Sequence, residues 1–186
     1  FLKCSDYFPL TGVGKLNSYA VFGELSMLLL CRSGMAGLIM PLGIATDDNT
    51  KLFFSHINNT GRLVSLHGFE NESFIFRDVH HSFKFCLLTI HGDKRDVVAT
   101  DFAFFCRDVK DLKERQRHCP MTADDIRLIN PNTMNCPTFK ARQDFELVRI
   151  IYSRVSILSP DSSKGEWDVA IHRVLNPTDD SALLLS

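Results

Sequence analysis

Between Asn17 and Cys31 the apolar positions recur at helical spacing. Tyr19, Phe22, Leu25 and Leu29 share one face, and Val21 and Leu28 widen it until little polar surface is left. The pattern predicts a helix buried on most sides, ended by Arg32-Ser33-Gly34 with Gly34 as a left-handed cap. Met35 to Met40 is a short apolar run stopped by Pro41, which suits a strand buried on both faces. Thr46-Asp47-Asp48 places a hydroxyl ahead of two carboxylates, a helix start. That helix is expected to run to about Asn58, with Leu52, Phe53 and Ile57 on one side and Gly61 after it.

Leu63–Leu66 and Phe83–Ile90 read as strands, and as antiparallel neighbours in one sheet. His91-Gly92-Asp93 bounds the second, and Asp101 to Arg107 reads as one more strand. Thr122-Ala123-Asp124-Asp125 carries a capping-box pattern that opens a short helix ending before Asn130-Pro131. Ala141 to Leu158 reads as a helix, with Phe145, Val148 and either Ile151 or Tyr152 turned inward. Asp161 to Gly165 is a loop, after which Trp167, Val169 and Ile171 alternate like a strand. Helices and strands alternate through the first part of the chain, which predicts an open α/β sheet.

Composition agrees with a folded protein: of 186 residues, 45% are hydrophobic and 23% charged, enough for one domain or one and a half smaller ones. The charge changes the picture more. Lys and Arg number 21 against 22 Asp and Glu, a net charge of −1. A self-sufficient DNA binder carries a basic excess, because phosphate contacts supply much of its affinity. Any grip of this chain on DNA therefore draws its electrostatics from elsewhere.

Cysteines at 4, 31, 86, 106, 119 and 136 are far apart, with no Cys-x-x-Cys and no zinc-finger spacing. They read as buried, reduced thiols of a cytosolic protein, and no metal ligand set is expected. Glu24, Arg32, Gly34 and Pro41 interrupt the apolar stretch from Tyr19 to Ala45 and argue against a membrane span. The start at Phe1, with no signal-peptide layout, and the apolar ending Leu183-Leu184-Leu185 read as a piece of a longer polypeptide.

Three local patterns invite chemistry. Gly12-Val13-Gly14-Lys15 has one residue between its glycines and Leu16 after the lysine, so it is a loop rather than a phosphate cradle. His80-His81, beside Arg77 and Lys84, would point to opposite faces of an extended chain, and a surface or locally basic loop is the reading. Asn130-Pro131-Asn132-Thr133 shares two letters with the Asn-Pro-Pro-aromatic tetrad of adenine methylases but lacks its second proline and its ring. It reads as a turn.

Longer stretches form a more specific series. Asn17-Ser18-Tyr19-Ala20-Val21-Phe22 is followed by Gly37-Leu38-Ile39-Met40-Pro41, then by Phe76 through Leu88. Gly61-Arg62-Leu63-Val64-Ser65-Leu66 with Phe69-Glu70-Asn71, and Ile129-Asn130-Pro131-Asn132-Thr133 with Pro137 and Phe139, extend it. In order and spacing the series resembles the later motifs of gamma-type adenine-N6 DNA methyltransferases of restriction-modification systems. The resemblance is to type IIG methylase-restriction fusions and type I modification subunits in particular, and it covers nearly the whole chain.

The resemblance implies that residues 1–107 are the C-terminal half of a Rossmann-like sheet that binds S-adenosylmethionine. Residues 108–186 would be a mixed α+β connector leading to a target-recognition region. It implies double-stranded DNA as substrate of the intact protein, the remainder of that polypeptide as partner, and a flipped target adenine. Phe22 matches the ring that lies against the cofactor's adenine, and Phe76 the ring that stacks on the flipped base. Read from the residues alone, Phe22 on an apolar helix is more often a core position than a cofactor contact, and either Phe74 or Phe76 is a loop anchor. Arg77 stands where the family often has proline.

Neither the Gly-rich cofactor loop nor the catalytic tetrad occurs in this chain. No catalytic residue is therefore expected in it, and the chain alone is expected to lack methyl transfer. A non-catalytic, methylase-like module that binds DNA or a subunit is the alternative. An α/β domain of unrelated function is a third.

Overall fold

The structure is a computed structural model that describes residues 6–94, 96 and 99–157. Two units divide the chain, Phe1–Val155 and Ser156–Ser186, and the described elements lie in the first. The strand expected at Trp167–Ile171 lies outside the described residues.

In chain order the elements are α1 (Ser18–Leu29), β1 (Met35–Pro41), α2 (Gly43–Thr46), α3 (Lys51–Asn59), β2 (Leu63–Glu70) and β3 (Lys84–His91). β4 (Thr100–Cys106), β5 (Cys119–Met121), α4 (Ala123–Ile129) and α5 (Arg142–Arg154) follow. The five strands form one sheet in the order β1-β3-β2-β4-β5. β3 runs antiparallel to both β1 and β2, so those two are parallel to each other, and β2 pairs parallel with β4. β5 closes the far edge antiparallel to β4. The sheet is thus mixed, with three antiparallel pairings and one parallel. The fold is mixed α/β, consistent with part of a Rossmann-like sheet.

Strand periodicity separates two faces. Met40, Leu66, Cys86, Leu88, Ile90, Phe102, Phe104, Cys119 and Met121 point to one side. There they meet Ala20 and Met27 of α1, Phe53, Phe54 and Ile57 of α3, Ile126 of α4 and Phe145 of α5 in a single core. Each fully buried phenylalanine contributes about 1.5–3 kcal/mol relative to an exposed one. Among the described residues, the opposite face holds a small cluster, Phe69, Ala103 and Cys106, with Phe85, Leu87 and Leu112 packed against it. Residues beyond 107 thus add β5 to the sheet and α4 and α5 to its covered side.

Four local expectations change. β1 is an edge strand with alternating exposure, not a strand buried on both faces, and Ile39 on its outer side is 62% exposed. α1 buries Ala20, Val21, Gly23, Glu24 and Met27, while Phe22 and Leu29 turn outward. Thr46 ends the short α2 instead of starting a long helix; Asp47 is extended, a 3₁₀ turn spans Asp48–Thr50, and α3 begins at Lys51. Among the described residues the left-handed glycines are Gly14 and Gly61, not Gly34. Gly61 stands just past α3, where a positive φ lets the chain reverse into β2.

Side chains tie the layers together. The Arg62 guanidinium donates to the carbonyls of Met27, His91 and Gly92, joining the last turn of α1 to the end of β3. Thr122 and Asp125 cap α4 reciprocally, as the sequence pattern predicts. One extra residue in β4 opposite β2 makes a bulge, and Phe105 within it has φ of 58°. No helix among the described residues is long and apolar enough to cross a membrane.

Candidate functional site

The outward stripe of α1 comes from its own periodicity. With Ala20, Gly23, Glu24 and Met27 facing the core, Ser18, Phe22 and Ser26 share the remaining face one turn apart. That face and the free edge of β1 enclose a groove of about 340 Å³, lined by Tyr19, Phe22, Leu38, Ile39, Met40 and Pro41 among others. Small-molecule pockets typically span roughly 300–1,000 Å³ and are largely apolar with a few polar groups. Here Ser18, Ser26 and the Tyr19 phenol are the polar side chains. Burial, then the nearby Asp47 carboxylate, pushes the Tyr19 phenol above its usual range, so it remains a hydrogen-bond donor. Phe22 itself is 65% exposed. It is not a core residue of α1.

Phe76 lies in the loop between β2 and β3. Its ring packs edge-on against Phe85, centroids 5.0 Å apart, and Phe85 in turn stacks on Phe69 at 5.2 Å. Phe76 is 38% exposed. Fully buried Asn71, at the end of β2, holds this loop through its side-chain amide. Phe74 has a left-handed backbone and is 53% exposed. Of the two aromatics it is Phe76 that rests on the sheet.

One register pair relates the two expected rings. Pro41, which lines the Phe22 groove, is paired across the ladder with Phe85, on which Phe76 rests. Both features therefore sit where the parallel strands β1 and β2 end at their carboxyl termini. Open α/β sheets bind their ligands at that end.

The other sequence candidates stay ordinary. His80 and His81 have rings 4.4 Å apart, but His80 pairs with the Ser82 hydroxyl and His81 with Glu72. They form a surface loop. Asn130 ends α4 and its carbonyl accepts from the Met134 amide, which makes the turn expected at Asn130-Pro131. Gly12–Lys15 is irregular chain leading to α1. Sequence reasoning placed Asn71 within the family-like series without assigning its clamp. Its signal is a buried amide two residues ahead of a loop rich in aromatics.

No known protein family matches the sequence, and no curated protein shows significant similarity to it. Among solved structures, the chain is similar to the type IIG restriction endonuclease BpuSI. The identity is 17% and the TM-score 0.43, over 78% of this chain and 16% of that one. This chain thus spans about a sixth of the length of the enzyme it matches. A likeness this distant leaves activity and substrate to the site itself.

Proposed function

We propose that this chain is part of a site-specific adenine-N6 DNA methyltransferase of a restriction-modification system. In the intact protein it would complete the adenine pocket of S-adenosylmethionine and stack the flipped target base. The observation that carries the reading is the Pro41–Phe85 pair, which brings the Phe22 groove and the Phe76 ring to one end of the sheet. An exposed aromatic over a mostly apolar groove suits an adenine ring. A second exposed aromatic on an ordered loop supplies the π-surface that an extruded base loses on leaving the helix.

The chain's own residues position ligands and perform no bond-making step. Phe22 and the edge of β1 hold the cofactor's adenine, and Phe76 holds the base. The gain for methyl transfer is orientation of the amino nitrogen against the sulfonium. Double-stranded DNA is engaged by the intact protein, since the near-neutral charge of this chain supplies little phosphate affinity.

Calorimetric titration of the intact protein with S-adenosylhomocysteine tests the reading. Phe22→Ala should weaken binding roughly tenfold, the scale of about 1.4 kcal/mol for a lost ring contact. An affinity unchanged by Phe22→Ala would remove the groove from the cofactor site. No binding at all by the intact protein would favour the non-catalytic module.

A further inference from the structure

On the sheet face opposite the helices, three side chains from distant parts of the chain converge. Ser65 pairs with Asp101 and His67 with Ala103 across the parallel β2–β4 ladder, so His67 and Asp101 project to the same side. Phe102 pairs with Cys119, which sets His118, the residue before β5, beside Ala103 on that side too. His67 Nε2 and His118 Nδ1 each lie 2.9 Å from the same carboxylate oxygen, Asp101 Oδ2. His118 Nδ1 is also 2.9 Å from Oδ1. The ligand atoms of all three residues fall within 4.8 Å of one another.

The second nitrogen of His118 sharpens the case. Nε2 lies 2.9 Å from the Leu112 carbonyl, which can only accept, so Nε2 carries a hydrogen. In the neutral imidazole the Nδ1 lone pair then faces a carboxylate. That contact is repulsive unless a proton or a metal ion stands between them. Histidine ligands of metals are commonly oriented in this way, with the far N–H donated to a backbone carbonyl. We infer that His67, Asp101 and His118 form a binding site for a divalent transition-metal ion; Zn²⁺ and Fe²⁺ both accept this donor set.

Two imidazoles and a carboxylate are too nitrogen-rich for Mg²⁺ or Ca²⁺ and lack the thiolates of a Cu(I) site. Zn²⁺ accepts this set, and three protein ligands with an open fourth position is its usual solvent-accessible arrangement. Two metal–ligand bonds of ordinary length at a tetrahedral angle set the donor atoms ~3.3 Å apart. The 2.9 Å contacts need to open by a few tenths of an ångström, and the two histidine nitrogens, within 4.8 Å of each other, need to settle to a similar spacing by side-chain rotation. The side chains of His67, Asp101 and His118 are 17%, 41% and 27% exposed, so an ion can enter from solvent. Coordination replaces the His118 Nδ1 hydrogen with the metal bond, and the proton leaves to buffer. The ion would pin β2, β4 and the approach to β5, independently of any role of Phe22 and Phe76.

The test is titration of the chelator-treated full chain with ZnCl₂ by calorimetry and with CoCl₂ by visible absorption. One ion per chain is expected, with Co²⁺ d–d bands and no thiolate charge-transfer band. His118→Gln and Asp101→Asn, checked for folding by circular dichroism, should each weaken Zn²⁺ binding roughly tenfold or more. His80→Ala should leave it unchanged. Absence of binding, a thiolate band, or equal affinity in folded Asp101→Asn would overturn the site. The three residues would then form only a hydrogen-bonded His–Asp–His network.

Discussion

The side-chain amide of Asn71 holds Phe76 from both sides of its peptide. The Phe76 N–H donates to Asn71 Oδ1 at 3.0 Å, and Asn71 Nδ2 donates to the Phe76 carbonyl at 2.9 Å. The same Nδ2 reaches the Val79 carbonyl at 2.8 Å. One buried amide thus satisfies three backbone groups of an exposed loop and aims its ring at Phe85.

Asn71→Ala removes all three contacts and should cost about 2–4 kcal/mol of stability, measurable as a shifted urea midpoint. The Phe76 amide should exchange hydrogen much faster in that variant. Unchanged exchange would mean that the loop is ordered by ring packing alone.

In the intact protein, Phe76→Ala should slow methylation of adenine-containing DNA while leaving S-adenosylhomocysteine affinity near wild type. Stacking of about 1–3 kcal/mol per base corresponds to a loss of roughly 5- to 150-fold. Phe76→Tyr should restore most of the rate. Equal rates in the alanine variant and the wild type would confine Phe76 to anchoring its loop.

Glu24 is buried in α1 and accepts from the Leu10 amide at 3.2 Å, the Thr11 amide at 2.9 Å and the Thr11 hydroxyl at 2.6 Å. It fastens the segment before α1 to the core side of that helix. Glu24→Ala should destabilise by about 2–4 kcal/mol, because charge-assisted contacts are lost and buried donors are left without partners. Glu24→Gln, which keeps the shape, should cost less. Matching denaturation curves for all three proteins would contradict this account.

Thiol reactivity should be sharply unequal. Cys31 is exposed, whereas Cys86, Cys106, Cys119 and Cys136 are buried. Burial pushes the Cys86 thiol up to about 12 and those of Cys106 and Cys119 to about 11, with Cys136 also well above the usual range. Iodoacetamide at about pH 8, near the free-thiol value, should label Cys31 and spare these four until the protein is unfolded. Native labelling of Cys86, read by peptide mass mapping, would contradict the packing of the covered face.

Much of the sheet is legible along the chain. The runs at Met35–Met40, Leu63–Leu66, Phe83–Ile90 and Asp101–Arg107 each become a strand, because short apolar segments between turn residues have few other ways to bury themselves. The antiparallel pairing of β2 with β3 follows from their closeness in sequence. β5 escapes notice because Cys119-Pro120-Met121 is too short to show a period. The misjudged burial of α1 and β1 has one cause. Periodicity tells which residues could be buried, while the number of layers packed on each face is a tertiary property.

The candidate sites divide in the same way. Phe22 and Phe76 are visible from the sequence because each lies in a contiguous motif, although their placement at one end of the sheet, on opposite faces, needs the β1–β3 register. His67, Asp101 and His118 are separated by 34 and 17 residues, with no ligand spacing to announce them. By itself the sequence determined where four of the five strands run and how α4 is capped, since these depend on neighbours within a strand or a turn. Strand order, the choice of the face that the helices cover and the convergence of two imidazoles on one carboxylate belong to the tertiary structure alone, because only long-range pairing fixes which side chains share a face.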